Sequence, residues 1–173
     1  MAGGQVHADQ QTATYRIIGL CFAERQADFR RTMKELPEIE VVEVDFDHAV
    51  ATVRYDLDKL IPPGPPKKPA DRGAEKVLAK LNDLLRKASG NSFSFAPPSA
   101  TPEAQLARVD IKVGLLDCKG CRYAVYLAVA KLDGVERATV SADTLSAWID
   151  PARTNRAALE EALRKDQVPL PTP

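Results

Sequence analysis

Leu36-Pro37-Glu38-Ile39-Glu40 and Leu132-Asp133-Gly134-Val135-Glu136 are one turn written twice, 96 positions apart. The same offset sets Phe29 on Val125, Met33 on Val129 and Val44 on Val140, so apolar positions agree from a helix, through the turn, into the strand after it. Self-similarity at a fixed period marks a duplicated unit. Outward from the first turn, residues 14–20 are β-branched and apolar, and Phe29, Met33 and Leu36 follow at spacings of four and three. This reads as a strand and then an amphipathic helix. Residues 39–45 and 49–55 alternate around Asp47-His48 as a hairpin. Val77, Leu78, Leu81, Leu84 and Leu85 line one side of a second helix, and residues 92–95 read as a short last strand. The order then restarts. Val109, Ile111 and Val113 alternate, and Val125, Ala128, Val129 and Leu132 form a helical stripe. Residues 135–140 and 145–149 form a hairpin, and 156–163 a further helix. A final strand at 167–170 is confined by its prolines to a sheet edge. The expectation is an α+β chain of two tandem units.

Proline-rich stretches set the boundaries, because proline fixes φ and removes a ladder donor. Residues 1–13 read as a flexible tail, 14–95 as the first unit with a proline-rich insert at 61–69, 96–106 as a linker and 107–173 as the second unit. Each unit is small enough for a single core to be marginal, so packing between them would help both.

The whole chain of 173 residues balances 24 basic against 24 acidic side chains, with 45% apolar residues. That is the composition of a soluble globular protein. It gives no basic surface for nucleic acid or an anionic membrane. No stretch approaches the ~20 apolar residues of a membrane span, and residues 1–12 lack the pattern of a signal peptide. Both cytoplasmic and extracytoplasmic settings fit this chain. No catalytic triad, phosphate loop or carboxylate pair is visible, and the chain is read as a binding protein rather than an enzyme.

Of three cysteines, two stand in Asp117-Cys118-Lys119-Gly120-Cys121, where a strand gives way to a helix. That spacing aims both sulfurs at one small volume, and the free amides of a helix start favour thiolate. The pair is a soft-metal clasp or a redox couple. Two thiolates suit Cu(I) or Hg(II), whereas zinc usually takes four ligands. Lys119 and Arg122 either favour thiolate at the sulfurs or are ordinary solvated charges.

Val113-Gly114-Leu115-Leu116-Asp117-Cys118-Lys119-Gly120-Cys121, with Leu132-Asp133-Gly134-Val135-Glu136 and Trp148-Ile149-Asp150-Pro151, resembles the heavy-metal-associated domain family over about residues 107–166. The resemblance implies two ferredoxin-like βαββαβ sandwiches, each an antiparallel sheet with two helices on one face. It implies Cys118 and Cys121 as ligands of one transition-metal ion, Cu(I) or Zn(II) first and Hg(II) or Cd(II) next. Asp117 is a candidate oxygen ligand, since zinc- and cadmium-transporting relatives often show Asp-Cys-x-x-Cys. The implied partner is a metal donor or acceptor such as a metal-transporting ATPase. Where many members read Gly-Met-x-Cys, this chain reads Gly-Leu-Leu-Asp-Cys, and Leu116 would replace the methionine.

The first copy is degenerate. In the ungapped register Phe22 and Arg25 fall on the two cysteines; with a loop one residue shorter, Cys21 and Glu24 do. Cys21 is then a buried or free thiol, or a third sulfur brought to Cys118 and Cys121 by packing between the units. His7 and His48 have no second donor nearby and read as solvated. Strand alternation places Trp148 on the open sheet face, a candidate contact with the first unit or a partner. Three functions compete: a metal carrier, chaperone or sensor; a structural or interaction module with a vestigial site; and a thiol-disulfide oxidoreductase.

Overall fold

The structure, a computed structural model, describes residues 10–65 and 71–171. In the first unit β1 (Gln10–Ile18), β2 (Ile39–Asp45), β3 (Val50–Asp56) and β4 (Ser94–Ala96) form one antiparallel sheet in the order β2-β3-β1-β4. Along β3 the side chains of Ala51, Val53 and Tyr55 are buried and their neighbours half-buried, the period-2 pattern of a sheet with one covered face. The cover is α1 (Glu24–Lys34) and α3 (Ala74–Ser89). Phe29 and Met33 lie four apart on α1, and Val77, Leu81 and Leu85 repeat at four on α3, so each helix turns one stripe inward. The Phe29 ring meets Phe93 and Phe95 edge-on, with centroids 5.4 and 6.1 Å away. Gly90, at φ 58°, ends α3 in the left-handed conformation that glycine adopts without strain.

The second unit has β5 (Ala107–Lys112), β6 (Val135–Val140) and β7 (Thr144–Ile149) in the order β5-β7-β6, under α4 (Lys119–Ala130) and α5 (Arg156–Lys165). Leu145, Ala147 and Ile149 face inward on β7 and join Val125, Val129, Leu159 and Leu163 of the helices in a second core. Asn155 caps α5 by accepting from the Ala158 N–H.

Three expectations about the elements change. β1 begins at Gln10, and residues 10–13 pair with β3, so the expected tail 1–13 is too long; residues 1–9 lie outside the described part. A single turn, α2 (Leu57–Leu60), follows β3, because Asp56 accepts from the Asp58 and Lys59 amides. Of the insert 61–69, residues 66–69 lie outside the described part, as does His7. Among the described residues the second sheet has three strands, giving βαββα where βαββαβ was expected. Pro169 and Pro171 have no N–H to donate, and the tail makes one sheet-like bond, Gly114 N–H to Pro169 O at 3.0 Å.

The expected linker is held down. Ala96 belongs to β4, Thr101 donates to the Asp150 carboxylate at 2.8 Å, and Glu103 accepts both arms of the Arg137 guanidinium at 2.7 Å. The start of the 96–106 segment is thereby held by the first unit and residues 101–103 by the second.

Candidate metal centre

From β5 the chain runs through Val113 and Leu116, whose N–H groups donate to Asp143 O and Ala142 O at 2.9 and 2.6 Å. Those two bonds tie the loop to the β6–β7 turn. Leu116 packs against the second core, while Leu115 stands 73% exposed. Cys118 is then the N-cap of α4: it is extended, at φ −113° and ψ 146°, and its sulfur accepts the Cys121 N–H at 2.9 Å. It takes the role that serine or aspartate usually has, giving a partner to an amide the helix leaves free. Cys118 and Cys121 are joined as a disulfide, with Cα atoms 5.2 Å apart. Both are exposed, as are Asp117, Lys119 and Gly120. An exposed pair at a helix start can exchange a bound ion with another protein's ligands, or electrons with another thiol.

No group of three or more His, Cys, Asp or Glu donors gathers among the described residues. Asp117 stands exposed beside Cys118 rather than in such a cluster. His48 bonds Asp45 at 2.7 Å within its own turn. Of the two cations expected to flank the sulfurs, Lys119 is exposed. Arg122 turns to the first unit, with its guanidinium 4.4 Å from the Phe22 ring centroid and 3.6 Å from the Glu24 carboxylate.

Cys21 does not gather with Cys118 and Cys121 into a cluster of donors. It is fully buried in the second unit's core, and burial pushes its thiol up to about 12, outweighing the opposing pull of Arg25. The loop around it, residues 19–22, is the first copy's counterpart of the cysteine loop, and it plugs into the second unit. Cys21 O accepts the Val140 N–H at 2.8 Å, and Gly19 N–H donates to the Tyr126 hydroxyl at 2.8 Å. The Tyr123 hydroxyl donates to Ser92 O at 3.2 Å. The Arg25 guanidinium lies between the Phe93 and Tyr123 rings, 4.4 and 4.5 Å from their centroids. Gly19 has φ 100°, and a Cβ there would run into Ser92 O, so only glycine serves. A second contact joins Arg16 to the nearly buried Glu136, 2.7 Å from both its carbonyl and its carboxylate.

Sequence reading missed Tyr123 and Tyr126 as partners of this plug. The signal for it was Phe22, a large apolar side chain standing where a ligand loop is exposed. Trp148 is on the sheet face away from the helices, where the Arg108 and Arg137 guanidiniums lie 5.2 and 4.1 Å from its ring. The bonds that join the units run through residues 16–25 and Ser92 instead.

No family model matches the chain, and no curated protein matches it. Among solved structures, the N-terminal soluble domains of Bacillus subtilis CopA align at 17% identity over 94% of this chain and 93% of that one, with a TM-score of 0.35. The water-soluble region of the P-type ATPase CopA from Bacillus subtilis aligns at 18% identity over 94% and 91%, also with a TM-score of 0.35.

Proposed function

We propose that this chain binds one soft metal ion, Cu(I) before the others, through the thiolates of Cys118 and Cys121, and exchanges it with a partner protein as a carrier, chaperone or sensor. Two tandem ferredoxin-like units form the frame, and the second carries the site. The observation behind this reading is the exposed sulfur pair at the start of α4. Two sulfurs without a third clustered donor suit an ion content with two opposed ligands, as Cu(I) and Hg(II) are, better than tetrahedral zinc. The ion is cargo. Binding requires the dithiol, so a dithiol reductant must first supply two electrons and two protons to the disulfide, itself becoming a disulfide, and each thiol gives up its proton as the metal enters. The α4 amides aid that loss by favouring negative charge at the sulfurs. Exposure lets an incoming thiolate of the partner, a metal-transporting ATPase for example, attack the ion while one sulfur of the pair still holds it.

The disulfide also supports a second reading, a thiol-disulfide oxidoreductase; reductase activity on a protein disulfide would favour it. The deciding experiment is anaerobic titration of the reduced protein with Cu(I), Zn(II), Cd(II) and Hg(II). One tight site is expected, lost in Cys118→Ser. Tight binding that survives Cys118→Ser would overturn the assignment. Asp117→Ala leaves Cu(I) unaffected if two sulfurs suffice, and a fall in zinc affinity would make Asp117 an oxygen ligand.

A further inference from the structure

The first copy has no Cys-x-x-Cys pair, yet its loop is among the best-packed parts of the chain, with Leu20 and Cys21 almost without exposed surface. Its contacts converge on the helix that carries the sulfurs. Arg122, next to Cys121, is 18% exposed and lies over Phe22. Tyr123 stacks on Arg25 and bonds Ser92. Tyr126, one turn further, is buried and receives the Gly19 N–H. Residues 122, 123 and 126 fall on one side of α4, and Val140 of β6 fixes the loop from below by donating to Cys21 O.

We infer that the first copy's former ligand loop is a clamp on the first two turns of α4, and that Phe22, Arg25, Tyr123 and Tyr126 are positioning residues for the Cys118/Cys121 site. This rests on the metal reading of that site. A clamp on residues 122–126 holds the backbone that carries Cys121, so the ion does not have to order that turn on binding. Coupling of this kind is reciprocal: whatever the clamp adds to metal affinity, the metal adds to the stability of the clamp.

The test uses the full chain, reduced, with Cu(I) supplied from a competing chelator. Metal is expected to slow hydrogen exchange of the Gly19 and Val140 amides about tenfold, and to leave them unchanged in Cys118→Ser. Tyr126→Phe, which removes one hydroxyl, and Phe22→Leu are expected to weaken Cu(I) binding about tenfold, with faster release. Phe22→Trp, which keeps a ring under Arg122, should restore it. Unchanged exchange together with equal affinities would overturn the clamp. Wild type that takes up no Cu(I) would remove the metal reading alone. The clamp is then read from the dithiol-disulfide equilibrium of Cys118 and Cys121 against dithiothreitol, which must differ between wild type and Tyr126→Phe; equal constants overturn it.

Discussion

Cys21 and the pair at 118 and 121 are the same residue type in opposite settings. The pair is exposed at the start of α4, whereas Cys21 shares a core with Val129, Val140 and Leu145. Burial disfavours the charged form of a thiol, and it lifts Cys21 from its ordinary 9.0 to about 12. The sign of the consequence follows from proton counts. Below pH 9 both folded and unfolded chains keep this proton, so the group leaves stability unchanged. Between pH 9 and 12 the unfolded chain gives the proton up and the folded chain keeps it, so unfolding becomes easier as pH rises. The limiting slope is about 1.4 kcal/mol per pH unit for one such group. Cys21→Ala removes the slope at the cost of a small cavity. The stability gap between wild type and Cys21→Ala, measured by urea unfolding at pH 7, 9 and 10, should therefore narrow as the pH rises. A gap independent of pH would mean that Cys21 ionises freely while folded, against its burial.

At the scale of elements, the second unit closes its sheet with three strands and a tail. Val168 is buried in the second core and donates to Leu163 O at 2.9 Å, and Pro169 O takes the Gly114 N–H. The tail thus covers the β5 side of the site loop without becoming a strand. A chain ending at Gln167 is expected to lose about 2–5 kcal/mol, the burial of one aliphatic side chain and two hydrogen bonds. Faster amide exchange at Gly114 would report the loss. Equal urea midpoints with an unchanged Gly114 amide would show that the tail merely rests on the surface. The same region shows what could be read from sequence. Alternation in β3 and β7, the stripes of α1, α3 and α4, and the cysteines at the start of α4 depend on neighbours along the chain, and all were legible. The α2 turn was legible in principle from Asp56 as a cap, but four residues carry little periodicity. The plug was not, because it depends on pairs such as Gly19 and Tyr126, 107 residues apart, and Arg16 and Glu136, 120 apart. Periodicity shows that Phe22 has no place in a ligand loop; it does not show which surface receives the ring.

For the whole molecule, the two cores meet at one loop. Ile18 at the end of β1, with Cys21 and Phe22 just after it, packs into the second unit, while Glu136 of the second unit lies between Arg16 of the first and Arg153 of its own, at 2.7 and 3.3 Å. Separating the units would expose those apolar side chains and strip a carboxylate that is only 7% exposed of one of its cations, a costly loss for a charge out of water. The units are therefore expected to unfold together. Trp148, the chain's single tryptophan, reports on the second unit, and far-ultraviolet circular dichroism reports on both. In urea the two signals should follow one curve. The stronger form of this expectation uses a change made wholly in the first unit. Leu81→Ala opens a cavity inside the first core, which should cost about 2–5 kcal/mol. If folding is shared, the Trp148 midpoint falls with the dichroism midpoint, although Trp148 belongs to the other sheet. A Trp148 curve that stays in place while part of the dichroism is lost early would show two independently folding units, and the loop would then be a contact rather than a common core.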